Sequence, residues 1–461
     1  MARNAQLVPV VVLFGAFLLT LLPNELWSDS WLALAAGRDV AVHGLPSHDT
    51  LTVWAHGRLW VDQQWLAQLA FYGAYTLGGI RLALLLHALA ATTAFAGAVA
   101  AGRTRGGSKR SVLLVAVVVF FAFGFFTLVM RPQSLAYPLF VALFWLLGRY
   151  VRGDDRRLWL VAPLLVLWTN VHGTVVLGSL LVLLAVATRA IPVRRVRRID
   201  AALTAGALIL PFVSPYAFAL PGYYRRVLLN PEFGRYVAEW RPTTPSVLTY
   251  AFYLLAGIAV FMLGRNGRAL TLFERLALLV LLALAFKATR GVPWFSLAAL
   301  MTAPTMLRGA LARDYDRLRG PRLAFVAGIS LLVAGATLVS ALAKPQSRFD
   351  VNYPSGARTA VMAAAGRTGR VYANETYADW LLLTRPALAG RVAYDARFEL
   401  LDAKQLKNIA AVRVAQEGWR RVLRPYDVAV VGSNEDDLRN ALERAGWRHV
   451  YHRARVDVFR R

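Results

Sequence analysis

Apolar runs of membrane-spanning or near-spanning length recur through the first three-quarters of the chain, separated by short basic links or longer polar loops. With a cytoplasmic amino terminus, the pattern predicts crossings at about 6–23, 80–101, 111–129, 135–150, 158–170, 173–188, 200–213, 246–264, 275–288, 292–307 and 323–343. The expected fold class is therefore a mainly α polytopic membrane protein of about eleven transmembrane helices. Residues 65–79 are amphipathic and are expected to lie along the interface. The runs 158–170 and 173–188 are short for spans and meet at the polar turn 170–173, which predicts a turn below the outer surface that lines a cavity.

From about residue 345 the apolar runs shorten, charges and turn residues become frequent, and Pro345 and Pro354 mark a linker. Short strands are expected at 370–373, 391–394 and 428–431, helices at 402–418 and 435–445, and a terminal hairpin at 447–459. This predicts two domains: a transmembrane part, 1–344, with a first outer loop at 24–64, and a small α/β extracytoplasmic domain, 345–461. No internal repeat of the solenoid or inverted-repeat kind is visible.

Composition sharpens the topology. Of 461 residues 57% are hydrophobic, mean hydropathy is +0.46, and the formal charge of +27 comes from 53 Lys plus Arg against 26 Asp plus Glu. A charge of that size suits nucleic acid or an anionic bilayer, and its distribution decides between them. The cations gather between apolar runs: Arg103, Arg105, Lys109 and Arg110; Arg149, Arg152, Arg156 and Arg157; Arg189, Arg194, Arg195, Arg197 and Arg198; Arg308, Arg313, Arg317, Arg319 and Arg322. This is the positive-inside arrangement, so the partner is the lipid bilayer and not nucleic acid. The expected location is a bacterial plasma (inner) membrane, multi-pass, with the amino terminus cytoplasmic and the carboxyl-terminal domain outside. Residues 1–23 read as an uncleaved first helix, since no small-x-small cleavage site follows. Without cysteine there is no disulfide and no thiol nucleophile.

Candidate chemistry collects in the outer loops. Asp29 follows the first helix, and Arg38, Asp39, His43, His48, Asp49, His56, Arg58 and Asp62 come after it, interleaved with Trp27, Trp31, Trp54, Trp60 and Trp65. A carboxylate at the mouth of a lipid-facing cavity can take a proton from an attacking hydroxyl, and aromatic faces suit sugar rings. The bland reading makes the tryptophans an interfacial belt and the charges a solvated rim. A divalent metal is possible among these histidines and aspartates, although their spacings match no tight ligand motif. Other outer loops bring Arg131 and Gln133, Asn170 and His172, Glu232, Arg235, Glu239 and Arg241, and Lys287 and Arg290. An outer-side arginine near hydrocarbon needs an anion, either a lipid phosphate or a partner such as Glu239. His172 can donate to a phosphate oxygen or satisfy carbonyls of the broken helices, whereas His87, alone in an apolar run, reads as structural. Asp379, Asp395 and Arg397 are expected to tie strand ends to the membrane-spanning part.

With these residues in view, the chain resembles the GT-C superfamily of polytopic glycosyltransferases, in particular the bacterial branch related to protein mannosyltransferases that uses polyprenyl-phosphate sugars. The resemblance rests on Asp29, the GLPSHD stretch at 44–49, QQWL at 63–66, RPQ at 131–133, WTNVHG at 168–173, AEW at 238–240 and the arginine before Pro293 and Trp294. It implies Asp29 as catalytic base and Arg131 or Arg290 as holders of the donor phosphate. Asn170, Gln133 and Trp65 are the expected substrate contacts. Many members pair two acids at the first-loop position, but here Ser28 and Ser30 flank Asp29, so Asp49 or Glu239 is expected to supply the second. The implied reaction is inverting transfer of a sugar from a polyprenyl-phosphate donor to a glycan, lipid or protein hydroxyl, with no cofactor beyond a possible divalent metal. A transporter or flippase of lipid-linked sugars and a noncatalytic scaffold are the competing readings.

Overall fold

The computed structural model describes residues 26–193, 196–308, 352–453 and 455–461, together with isolated positions between 332 and 343. The expected crossings at 6–23 and most of 323–343 lie outside the described residues, as do Arg194, Arg195 and the basic residues 313–322. The chain divides into two compact units: one of residues 1–24, 81–218 and 239–343, the other of 25–80, 219–238 and 344–461.

The first unit is helical. Its described helices include α3 (Lys109–Gly124), α4 (Ala136–Tyr150), α5 (Val161–Val171), α6 (Val175–Val193), α7 (Arg198–Ile209), α10 (Tyr250–Asn266), α11 (Leu272–Lys287) and α12 (Val292–Met306). In α12 every residue except Thr305 is buried, and it packs against α3, α10 and α11. A helix apolar all round belongs at the centre of a bundle. By contrast, α3 exposes Leu113, Val117 and Phe121 at four-residue spacing, the face a membrane helix gives to lipid. Two described helices, Trp65–Thr104 and Lys109–Thr127, are long and apolar enough to cross a membrane, or three spans if a bent pair is counted as one. This is a membrane protein, although the described helices do not establish the expected eleven crossings. Several apolar helices run only 15 to 17 residues, about 22–26 Å at helical rise, and single-turn 3₁₀ segments such as Pro132–Leu135 lengthen them.

The basic links of this unit are knitted to acids, of which Glu274 and Asp200 are buried. Glu274, inaccessible at the start of α11, caps its helix through Thr271 and takes Arg105 at 2.9 Å and Arg152 at 2.7 Å. Asp155 holds Arg189 at 2.8 Å and Arg197 at 2.7 Å, and Asp200 accepts from Arg197 and the Tyr150 hydroxyl. His87 has the structural role expected of it, with Nε2 2.8 Å from the Thr127 carbonyl.

The second unit contains α1 (Ser28–His43), a helix where a polar loop was expected across 24–64. Its charged residues hide an apolar run, Trp31 to Ala36, that is buried throughout. The next helix, α2 (Trp65–Thr104), breaks at Gly78 and Gly79, where φ of +67° at Gly79 suits glycine alone. That is where the change from amphipathic to apolar character predicted a boundary. Further on, α8 (Leu220–Leu228) and α9 (Pro231–Tyr236) precede the carboxyl-terminal part, with α13 (Ser355–Ala365), β1 (Val371–Ala373), α14 (Glu375–Thr384), α15 (Ala403–Arg413), α16 (Trp419–Leu423), β2 (Val428–Gly432), α17 (Asp436–Arg444), β3 (Arg448–Arg453) and β4 (Val456–Arg460). The strand order is β1-β2-β4-β3, with β1 parallel to β2 and the other pairs antiparallel. The expected strand at 391–394 is a short bridge beside β1 at Val392, and the expected helix at 402–418 stops early, with Ala415 at φ +49°.

The first loop completes this sheet. Val53 and Trp54 donate backbone hydrogens to Val392 and Ala393 at 2.8 and 3.0 Å, and Gly390 donates to Leu51 at 2.9 Å. Trp54 stacks on Tyr394 with centroids 5.2 Å apart, and Arg58 donates to the Leu400 carbonyl at 2.6 Å. Residues 25–80 therefore share a core with residues beyond 344, whereas the sequence pattern drew the division at 344.

Candidate active site

In the second unit, Asp29 lies half-buried in the first turn of α1, whose amino-terminal dipole favours a carboxylate. Asp29 acts electrostatically on the buried Asp379 and on the partly exposed Glu399. Burial, then repulsion from Asp395 and Asp29, pushes the Asp379 carboxyl well above the ordinary range against the pull of Arg397. Asp379 Oδ1 is buried with no hydrogen-bond partner among the described residues. Burial likewise lifts Asp62 and Glu399 to about 7.

Asp49 does not supply a second acid. Fully buried, it accepts from the Leu51 and Thr52 backbone at 3.2 and 3.1 Å, from the Thr52 hydroxyl at 2.7 Å and from Arg397 at 2.5 Å. Arg397 also pairs with Asp395 and lies 4.0 Å over the Trp60 ring. Asp395 and Arg397 thus fasten the first loop to the carboxyl-terminal strands. Trp31 and Trp60 are core residues and only Trp27 of the five loop tryptophans is largely exposed, so a simple interfacial belt does not describe them. Trp65 is half-buried at the start of α2. Asn374, the head of a formal glycosylation signal, caps α14 by accepting from Tyr377 N at 3.1 Å.

In the first unit, four short motifs gather about one aromatic cluster. Trp294 stacks on Trp168 at 5.7 Å and meets Tyr137 and Phe140 edge-on at 5.0 and 5.2 Å. Around it, Arg131 pairs with Glu239, Arg290 lies 4.5 Å over the Trp240 ring, and the charges of both arginines act on His172. Glu239 is therefore the counter-charge of Arg131, a role the sequence left open beside that of second acid. Burial works to raise its carboxyl, and the two arginines outweigh that and hold it below the ordinary range.

His172 Nδ1 accepts from Thr174 N at 3.2 Å and meets the Thr174 hydroxyl at 2.9 Å, and that hydroxyl accepts from Trp168 Nε1 at 3.1 Å. An accepting Nδ1 leaves the proton of the neutral ring on Nε2. Gln133, in the 3₁₀ turn after Arg131, is buried, and its Nε2 has no hydrogen-bond partner among the described residues. Asn170 departs from its expected role: its amide nitrogen donates to the carbonyls of Val166 at 2.8 Å and Val213 at 2.9 Å, which ties α5 to the chain after α7. Two guanidinium groups against one carboxylate, with an amide donor and an imidazole N–H, make a set suited to an anion.

No family profile and no curated protein sequence matches the chain. Solved structures do. The archaeal oligosaccharyltransferase AglB from Archaeoglobus fulgidus, in complex with an inhibitory peptide and a dolichol-phosphate, is similar at TM-score 0.56 and 12% identity over 93% of this chain and 69% of that one. ArnT from Cupriavidus metallidurans, bound to undecaprenyl phosphate, is similar at TM-score 0.53 and 14% identity over 99% and 97%. The chain has the GT-C fold. An Archaeoglobus fulgidus oligosaccharyltransferase complex with Zn and sulfate is also similar, at TM-score 0.52 and 12% identity over 94% and 70%. Among the described residues, the acids beside Asp29 do not bring three ligand atoms within 4.8 Å of one another. Of the first-loop histidines, His43 is bound to Asp39 at 2.8 Å and His48 to the Ser47 hydroxyl at 3.0 Å. The acids Asp379 and Glu399 were missed as neighbours of Asp29. Their only sequence signal is a carboxylate set among apolar residues, in DWLL and FEL.

Proposed function

We propose that the protein is an inverting membrane glycosyltransferase that moves a sugar from a polyprenyl-phosphate donor to a hydroxyl acceptor. The observation that carries this reading is the anion-suited set around the Trp168–Trp294 stack, drawn from four of the motifs that suggested the superfamily. Arg290 and Arg131 hold the donor phosphate, and Gln133 Nε2 and His172 Nε2 donate to its oxygens. These groups stabilise charge as the phosphate leaves. The acceptor oxygen attacks the anomeric carbon, the bond from that carbon to the phosphate oxygen breaks, and Asp29 takes the hydroxyl proton. The ArnT and AglB structures, whose bound lipids are undecaprenyl phosphate and a dolichol-phosphate, support a carrier of this class. No step passes through a metal.

The test uses purified full-length protein in liposomes with a panel of polyprenyl-phosphate sugars and hydroxyl acceptors. Asp29→Asn is expected to lower turnover at least about 100-fold with donor binding unchanged, and Arg290→Ala to weaken donor binding. Near-normal turnover in Asp29→Asn removes that residue from the mechanism. Wild-type protein that neither binds nor consumes any donor overturns the reading.

A further inference from the structure

The terminal hairpin carries a cluster that the proposed transfer does not use. His449 Nε2 lies 2.8 Å from Asp457 Oδ1, and His452 Nδ1 reaches the same oxygen. All three ligand atoms fall within 4.8 Å of one another. Residues three apart on a regular strand point to opposite faces. Here the register slips between His449 and Tyr451: His449 is opposite Phe459 and His452 is opposite Asp457. Since 457 and 459 share a face, the bulge at Val450 turns both histidines to that face, a side-chain re-aiming of the kind bulges provide.

The surroundings are those of a built site. The His449 ring is stacked on Phe459 at 4.5 Å and 11°, which fixes its plane. Asp457 is 1% exposed, and its other oxygen accepts from Arg439 Nε at 2.5 Å. That contact orients the carboxylate as an outer partner does in metal centres. The histidine side chains are 34% and 68% exposed, so an ion and its waters have access.

We infer that His449, His452 and Asp457 form a two-histidine, one-carboxylate site for a divalent transition metal, with Zn²⁺ the best match to imidazole and carboxylate ligands. The ion displaces the hydrogens that the rings otherwise share with Asp457 and keeps water in its remaining positions. On the rim of the β3–β4 hairpin, it cross-links the final strands.

The experiment uses full-length protein in detergent, purified without a histidine tag and stripped with chelator. Zn²⁺ is titrated by calorimetry, and Co²⁺ is followed by its visible absorption. One equivalent is expected to bind, with affinity at least about tenfold weaker in His452→Ala and binding lost in the His449→Ala/His452→Ala double variant. His43→Ala/His48→Ala/His56→Ala is expected to bind as wild type. Because both hairpin histidines are partly or largely exposed, thermal melts of the unloaded variants are expected to match wild type. Wild-type protein that binds neither ion, or a double variant that binds both as wild type does, overturns the site.

Discussion

Burial without a full set of partners leaves a signature in the pH dependence of stability. Asp62 is buried, its Oδ2 has no hydrogen-bond partner among the described residues, and burial lifts its carboxyl from 3.8 to about 7 against the pull of the Arg397 charge. The folded state therefore holds a proton that the unfolded chain releases near pH 4. Between about pH 4 and 7 the folded protein binds the extra proton, so the stability of the second unit falls as pH rises through that window and levels off above it. A shift of about three units corresponds to a ceiling of about 4 kcal/mol. Glu399, raised similarly but partly exposed, contributes less. Unfolding of the full chain followed by tryptophan fluorescence at pH 5 and pH 8 checks this. Asp62→Asn is expected to gain on wild type at pH 8 relative to pH 5, and an unchanged difference between the two proteins refutes it.

Elements were legible where apolar character changes and hidden where charges are scattered over a buried helix. The break at Gly78–Gly79 follows from the first kind of signal, and α1 was obscured by Asp29, Arg38, Asp39 and His43. Yet α1 is the helix that positions Asp29, and its packing depends on Gly37. A Cβ there would lie 2.2 Å from the Gln68 carbonyl oxygen and 2.8 Å from Tyr72 Cβ, where backbone must move to make room. Gly37→Ala is expected to destabilise the second unit by about 1–3 kcal/mol and to lower transfer through displacement of α1. Gly73→Ala on α2, which meets nothing within 4 Å, serves as control and is expected to be neutral or slightly stabilising. Equal melting temperatures for the two variants would remove the close crossing as the reason for glycine at 37.

At the scale of the whole molecule, a mainly helical membrane protein was legible, because hydropathy reports that directly. What hydropathy does not report is which distant segments share a core. The pairing of 51–54 with 390–393, the Arg397 bridge between Asp49 and Asp395, and the Arg58 contacts at 2.6 to 3.2 Å to residues 400–405 join the first loop to partners about 340 positions away, and no local pattern encodes them. The candidate site followed the same rule: the residue types were readable, whereas the commitment of Asp49 and Asn170 to structural bonds depends on segments remote in the chain. One consequence is testable. If 345–461 were an independent module, its removal would leave the first loop intact. With a shared core, truncation after residue 344 strips Asp49 of its buried cation and Trp54 of its stacking partner, leaving unpaired groups that cost several kcal/mol. The truncated protein is expected to insert in the membrane but to be cut by trypsin at Arg58, which in the full chain is held by Leu400, Gln405 and Asp402. Added carboxyl-terminal fragment is expected to restore protection, and full protection without it would mean that residues 25–80 fold unaided.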